Sequence, residues 1–445
     1  MDLDKSRLDD PRGLKLIFRA LAHRNYRLFF GGQSISLIGT WMQQIAVSWL
    51  TFRLTHSAFL LGVVGFTSRI PTFLLASFAG VLADRWNRHR ILVVTQTLSM
   101  IQALILALLV LTDTIAIWHI ISLSLFLGLI NALDIPARQS FVVDMIEKKE
   151  DLGNAIALNS SMVNGARLIG PSIAGILIAT VGEGICFLLN GLSFFAVILS
   201  LLTMKITSKK REKQSAPVWQ GLKEGFDYAF GFPPIRSVLL LLGLVSLMGM
   251  PYMVLMPVFA RDILHGGPHT LGFLMAATGC GALAGAIFLA SRKSVLGLGR
   301  IIVIASSLFG IGLIIFSLSH VFWLSLLLMM LTGFGMMVQM TSSNTVLQTI
   351  VEEDKRGRVM SFYTMAFMGM VPFGSLLAGG LASTIGAPET IMIGGVSCIL
   401  GSVIFGKKLP SLRRMTRPIY VKKGIISEEP IEIQKITELT TPPYN

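Results

Sequence analysis

Four charged side chains stand inside long apolar stretches of this chain: Arg69, Asp134, Arg138 and Arg167. A charge in such a setting is costly, so it must face water, a partner or a bound ion, and it usually serves function. Asp134 is the one acid well inside an apolar stretch, which makes it a candidate for taking up and releasing a proton. Asn131, Asp134 and Arg138 follow one another at i, i+3 and i+7, on one face of a helix. Ser160, Asn164 and Arg167 share a face in the same way. Two such helices packed antiparallel could bring Asp134 toward Arg167. Arg138 is nearer in sequence, and a structural ion pair at a helix end is an equal alternative. Arg69 precedes Pro71 near the middle of its stretch, or nearer the interface if the helix register differs.

Uncharged polar residues form further stripes. Gln33, Ser36, Thr40, Gln44 and Ser48 recur at helical spacing, with Trp41 and Trp49 beside them. Thr341, Asn344 and Gln348 do so later in the chain, with Gln339 close by. Facing lipid they would be unfavourable, so they are expected to point inward, some lining a cavity and some bonding between helices. Met248, Met250, Met253 and Met256 offer an adaptable apolar surface, or simple packing.

These residues need long membrane helices to position them. The chain of 445 residues is 53% hydrophobic and only 14% charged, with a mean hydropathy of +0.70. No soluble core could hold so much apolar surface. Apolar runs of about 20 residues, the length that crosses a bilayer, recur throughout. They read as twelve helices near 26–50, 58–82, 91–111, 115–138, 155–179, 184–204, 235–260, 269–291, 299–319, 321–345, 358–383 and 387–406. The fold class is therefore an all-α membrane protein of twelve spans. The expected divisions are a segment 1–25, a six-helix bundle 26–204, a linker 205–234, a second bundle 235–406 and a tail 407–445 that reads as disordered. Within the linker, Trp219, Leu222, Phe226 and Phe230 share one face of an amphipathic helix suited to the membrane surface.

The net charge of +14 lies mainly in the first segment, the turn at 85–90, the stretch 205–236, the turn at 292–300 and the tail. The alternate loops hold almost none apart from Arg53 and Arg261. This asymmetry marks the basic side as cytoplasmic and both termini with it. Since no basic stretch sits on a soluble module, nucleic-acid binding is a poor reading. Cys186, Cys280 and Cys398 all lie in apolar spans without metal-ligand spacing, so no metal site is expected. Gly401-Ser-Val-Ile-Phe-Gly-Lys-Lys408 mimics the start of a phosphate loop, but it lacks the following Ser or Thr and any preceding strand. No cofactor and no enzymatic cluster is expected.

The two halves read as a repeat. Gly128-Leu-Ile-Asn-Ala recurs as Gly333-Phe-Gly-Met-Met, and Gly170-Pro-Ser-Ile-Ala-Gly175 as Gly374-Ser-Leu-Leu-Ala-Gly379. Halves of this kind can rock against each other and expose a central cavity to alternate sides.

The turn Gly80-Val-Leu-Ala-Asp-Arg-Trp-Asn-Arg-His-Arg90 resembles the loop between the second and third helices of major facilitator superfamily transporters, roughly G-x-L-A-D-R-x-G-R-[RK]-x. Gly80, Leu82, Ala83, Asp84, Arg85 and Arg88 match, and Asn87 replaces a glycine. The resemblance implies that Asp84 caps the eleventh helix near Arg358–Ser361 and, with Arg85 and Arg88, latches the halves together when the protein opens outward. Gly170, Pro171 and Gly175 resemble the G-P-x-x-G-G motif of drug–proton antiporters, with Ala174 for one glycine, and this implies export. Asp134–Asp144, Asn154–Asn159 with Arg167–Pro171, Asn25–Phe29 and Gly39–Gln44 look like the enterobactin-exporter-like branch of bacterial facilitators. Arg69 departs from that branch.

The resemblance implies a multi-pass protein of the bacterial inner membrane that exchanges a small molecule, siderophore- or drug-like, for protons. It is expected to act as a monomer. Arg69 and Arg167 would favour an anionic or neutral substrate over a cation. An uptake or uniport carrier, and a membrane sensor that transports nothing, are the alternatives.

Overall fold

The computed structural model describes residues 18–75, 86–204, 218–292 and 294–426. Among these residues every regular element is helical. Eleven helices are long and apolar enough to cross a membrane: Ala58–Leu75, Arg88–Leu111, Ile117–Asp144, Leu152–Val181, Glu183–Thr203, Pro233–Ile263, Pro268–Ala290, Leu298–Ser317, Phe322–Ile350, Arg356–Ile385 and Ala387–Lys422. A twelfth, Arg24–Thr55, has 32 residues and comes first in the chain; it carries the polar stripe that lowers its apolar content. They are numbered here as the first to twelfth spans in chain order. Spanning a bilayer as helices satisfies every backbone N–H and C=O within the segment, which is why this composition yields this class.

The contacts repeat with the sequence. In the first half the first span packs on the sixth, the third on the fourth and sixth, and the second on the fourth. In the second half the seventh packs on the twelfth, the ninth on the tenth and twelfth, and the eighth on the tenth. The two halves thus form two pseudo-symmetric bundles, the arrangement that the resemblance to major facilitators leads one to expect.

Between the halves, the second span packs on the eleventh and the fifth on the eighth. Glycines permit it. A Cβ on Gly62 would stand 2.6 Å from the Ser375 carbonyl oxygen and 2.9 Å from the Gly379 Cα. A Cβ on Gly175 would stand 2.9 Å from the Pro268 carbonyl oxygen and 3.0 Å from the Gly272 Cα. Backbone cannot yield as a side chain can, so helices meet at these points only if the residues are small. All four glycines lie toward the ends with few cations, here called the neutral end. At the opposite, basic end, the first turns of the eleventh span, Arg356–Thr364, pack on the linker helix Val218–Gly231 and on spans of their own half. There Arg358 donates to Glu224 at 2.7 Å, and Phe226 and Phe230 pack on Phe362.

Each half is tied internally. Buried Gln43 donates to Gln102 at 2.9 Å and accepts from Asn190 at 2.8 Å, which joins the first, third and sixth spans. At the neutral end Arg53 grips Glu183 through two hydrogen bonds of 2.8 and 3.3 Å. At the basic end Asp151 pairs with Arg19 and His23.

Three features depart from the expected outline. The seventh span is interrupted by π-helical turns at Val245–Gly249 and Phe259–Ile263, and the eleventh by one at Met365–Gly369. Pro251 cannot donate to the Leu247 carbonyl, and Gly374 of the eleventh span packs close against that oxygen. The twelfth span does not end near residue 406 but continues to Lys422, because Leu409, Leu412, Ile419 and Tyr420 pack on the second half while the cations between them stay outside. The remainder of the tail, the first 17 residues and linker residues 205–217 lie outside the described residues.

Two outcomes test this packing. Gly272→Leu should wedge the neutral-end contact apart and raise maleimide labelling of a cysteine placed at Ile178, in a background with the three native cysteines replaced; unchanged labelling would contradict it. Asn190→Ala should destabilise the protein by about 1–3 kcal/mol by leaving Gln43 without its donor, read as a lower melting temperature in detergent.

Candidate functional site

Arg69 owes its place to a break in the second span. The regular helix stops at Thr67, turns at Ser68–Arg69 and resumes before Pro71, which has no N–H to continue the ladder. The bulge fits because Gly128 of the fourth span presents no side chain: a Cβ there would meet the Ser68 carbonyl oxygen at 2.8 Å and Pro71 at 2.9 Å. Thr72 fastens the resumed helix by donating to the Gly128 carbonyl at 3.2 Å. Arg167 projects from the fifth span with its guanidinium carbon 5.6 Å from the centre of the Trp41 ring, a cation–π arrangement. Trp41 comes this close because Gly170, one turn on, leaves room; a Cβ there would lie 2.5 Å from that of Trp41.

Arg69 and Arg167 stand near enough to repel each other, and both are half-buried. Among the described residues neither has a carboxylate partner. Tyr252 of the seventh span lies beside Arg167 and is 2% exposed. Its hydroxyl has the Thr278 hydroxyl as polar neighbour. Neighbouring Thr278 of the eighth span gives its own hydrogen to the Leu274 carbonyl at 3.0 Å. At about 1.5 Å per residue, Trp41, Arg69, Arg167, Tyr252 and Thr278 all lie about 15–21 Å from the neutral ends of their helices, near the middle of a core about 30 Å thick. The constellation draws on five spans of both halves.

Asp134 sits elsewhere. It is 3% exposed and accepts hydrogen bonds from Thr95 and Gln96 of the third span, both at 2.8 Å, with the Arg138 guanidinium at 3.4 Å. Arg167 is not among its partners. Arg88 donates to Asp144 at 3.2 Å and to the Ser140 carbonyl at 3.3 Å, joining the basic ends of the third and fourth spans. Gly80, Asp84 and Arg85, the rest of the gating motif, lie outside the described residues. Gly170, Pro171 and Gly175 form the faces of the fifth span that meet the first and eighth.

Of the cavity candidates, Trp41, Gln44, Asn131, Asn164 and Asn344 are half-buried, as wall residues would be, whereas Thr40 is exposed. Gln33 and Gln339 are 2% and 1% exposed and lie within helix packing. Asn164 donates to the Ser160 carbonyl at 2.9 Å, and Asn344 accepts from Gln348 at 2.6 Å. Sequence reasoning missed Gln43 and Tyr252. Gln43 lies one residue off the polar stripe, and Tyr252 is one aromatic in a methionine-rich apolar span.

The chain matches known transporters along most of its length. It is 28% identical over 380 residues to the staphyloferrin A transporter of Staphylococcus aureus, covering 85% of this chain and 95% of the relative. It is 24% identical over 402 residues to the enterobactin exporter EntS of Citrobacter koseri, covering 90% and 96%. Among solved structures it resembles the nucleoside transporter NupG, with a TM-score of 0.67 at 13% identity over 87% of this chain and 98% of that one. A bacterial homologue of the iron transporter ferroportin in an inward-facing state gives 0.64 at 16% identity over 86% and 98%. The sequence profile of the transmembrane secretion effector family matches residues 17–419. The chain therefore belongs to the transmembrane secretion effectors of the major facilitator superfamily, a multi-pass membrane transporter and not an enzyme.

Proposed function

We propose that this protein exports a small, anionic or neutral amphipathic molecule of the siderophore or drug-like kind across the bacterial inner membrane, in exchange for protons. The observation that carries the reading is the pair of mid-membrane arginines, Arg69 and Arg167, with no carboxylate partner among the described residues. The siderophore class rests on the names of the relatives and the direction on the antiporter-like motif Gly170, Pro171 and Gly175.

The basic side is assigned to the cytoplasm by the positive-inside rule, with both termini there. Among the described residues, contacts between the halves concentrate at the neutral end and at mid-depth, where Phe73 of the second span meets Phe373 of the eleventh edge to face. The Arg356–Thr364 turns touch their own half and the linker helix. On this reading the cavity is loaded from the basic, cytoplasmic side. Rocking about the glycine contacts, with Gly80, Asp84, Arg85 and Arg88 as the latch, would present the cavity to the other face. The monomer holds every element this cycle needs.

Energetics favour the exchange. Moving an anion out and a proton in both carry positive charge inward, and an inside-negative potential supplies about 2.3 kcal/mol per charge per 100 mV. We assign the proton to Asp134. Protonation there would weaken its hold on Arg138 and on the donors Thr95 and Gln96, and so loosen the fourth span from the third.

Inside-out vesicles provide the test, with siderophores, anionic metabolites and lipophilic cations added in turn. Proton efflux on adding an anionic or neutral compound, lost in Asp134→Asn, is the expected result. Asparagine retains an acceptor for Thr95 and Gln96, so the fold should survive the change. Efflux that persists in the variant would restrict Asp134 to a structural ion pair. Efflux with lipophilic cations alone would overturn the charge argument, and transport indifferent to the proton gradient would overturn antiport.

A further inference from the structure

We infer that the basic end of the second half is a seat for one anionic phospholipid, its acyl chain in the cavity beneath the twelfth-helix extension and its phosphate on Arg413 and the neighbouring cations. This goes beyond the export reading and involves neither a substrate nor a direction of transport.

Helix propensity alone does not carry the twelfth helix to Lys422. The apolar run ends at Gly406, and Pro410 and Pro418 each remove a backbone donor. Tertiary contacts hold the extension instead. Leu409, Leu412, Ile419 and Tyr420 pack on the second half, and Lys423 donates to the Thr349 carbonyl at 2.7 Å. A Cβ on Gly299 would lie 2.7 Å from the Leu409 side chain, so the turn into the ninth span lies directly against the extension.

The outer face of the extension is basic. Lys407, Lys408, Arg413, Arg414 and Arg417 are all exposed, and the chain has no carboxylate between Glu389 and Glu428. Among the described residues none of these cations forms an ion pair. Counting about 20 residues from Ala387 across an apolar core about 30 Å thick puts Lys407 and Lys408 at its edge. Arg413 and Arg414 follow about 9 Å further on, level with the headgroup layer. Cations at that depth, beside a membrane span, attract anionic lipid.

Charge alone would draw the protein to a lipid surface without choosing a place on it. The cavity supplies the place. It opens between the extension, the turn before the ninth span, and the seventh and tenth spans. Val238, Leu298, Val346 and Leu412 line it, and Ile302 and Phe405 carry the lining into the apolar depth. Arg413, Thr416 and Tyr420, at i, i+3 and i+7 on one helix face, form its polar end. An occupant that fits must be apolar at one end and anionic at the other. A phospholipid of the adjoining leaflet has that form, whereas a free phosphate would use the rim and leave the apolar lining uncovered.

Native mass spectrometry of the full-length protein in detergent, freed of bound lipid, provides the test. Dioleoyl phosphatidylglycerol is the probe, with dioleoyl phosphatidylcholine and glycerol 3-phosphate for comparison. Phosphatidylglycerol should remain bound as a single adduct, and phosphatidylcholine should bind about tenfold more weakly. Glycerol 3-phosphate should not displace the lipid. Arg413→Gln should weaken phosphatidylglycerol binding about fivefold, the effect of one cation near a lipid surface. Arg90→Gln, an exposed cation at the basic end of the first half, should leave it unchanged. Val346→Phe, which fills the cavity and spares every cation, should weaken it at least as much as Arg413→Gln. Because Arg413 is exposed, its replacement should not alter the melting temperature without lipid, which keeps the result readable if Val346→Phe unfolds. Equal retention of the two phospholipids would reduce the seat to general lipid contact and overturn the inference, as would displacement by glycerol 3-phosphate. Equal losses for Arg413→Gln and Arg90→Gln, or binding indifferent to both Arg413→Gln and Val346→Phe, would overturn it by making the attraction diffuse. None of these outcomes bears on proton-coupled export, which the vesicle measurement decides separately.

Discussion

Close approach of helix backbones at glycine is the constraint on which this molecule rests. Gly62 against Gly379 and Gly175 against Gly272 bring four spans of the two halves into contact with no side chain between them. In a bilayer no hydrophobic force drives helices together, so packing must come from such close surfaces and from buried polar bonds. Among the described residues these glycine contacts lie toward the neutral ends of their helices. The same economy recurs around the site. Gly128 accommodates the Arg69 bulge, and Gly170 lets Trp41 come up beneath Arg167.

The polar groups of the interior divide into two kinds. Gln43, Gln102 and Asn190 bond to one another, and Asp134 is held by Thr95, Gln96 and Arg138. These networks lie between helices of the first half and hold it as a unit. Arg69 and Arg167 are of the other kind, since among the described residues neither has a carboxylate partner. A satisfied network gives a half its rigidity, whereas an unsatisfied cluster at mid-depth has binding energy to offer a ligand. The positive excess at the centre is thus not balanced by a carboxylate of the scaffold among the described residues.

Much of this was legible in the sequence because a bilayer allows few solutions. Long apolar runs could only be helices, and the matches at Gly170, Pro171 and Gly175 pointed to close packing that the structure displays. Arg69 and Arg167 stood out by the cost of charge in apolar surroundings. Their proximity was not legible, since it depends on how the second and fifth spans are placed in three dimensions. A helical stripe reveals a face but not its depth; hence Gln33 and Gln339 fell on the expected faces yet lie inside the packing. The π-helical turns left no periodic signal. The twelfth helix was cut short because Lys407, Lys408 and Pro410 read as an ending, whereas Leu409 and Leu412 continue to pack beneath the second half.

The central claim, that an anion binds between two mid-membrane arginines, is tested most directly by its charge. Proteoliposomes on a solid-supported electrode, given an anionic substrate candidate and then its neutral ester, would report the charge displaced on binding. The account predicts a transient of inward-moving negative charge with the anion, none with the ester, and none when Arg69 and Arg167 are both replaced by Gln. An equal transient with the ester, or one that survives the double replacement, would contradict it.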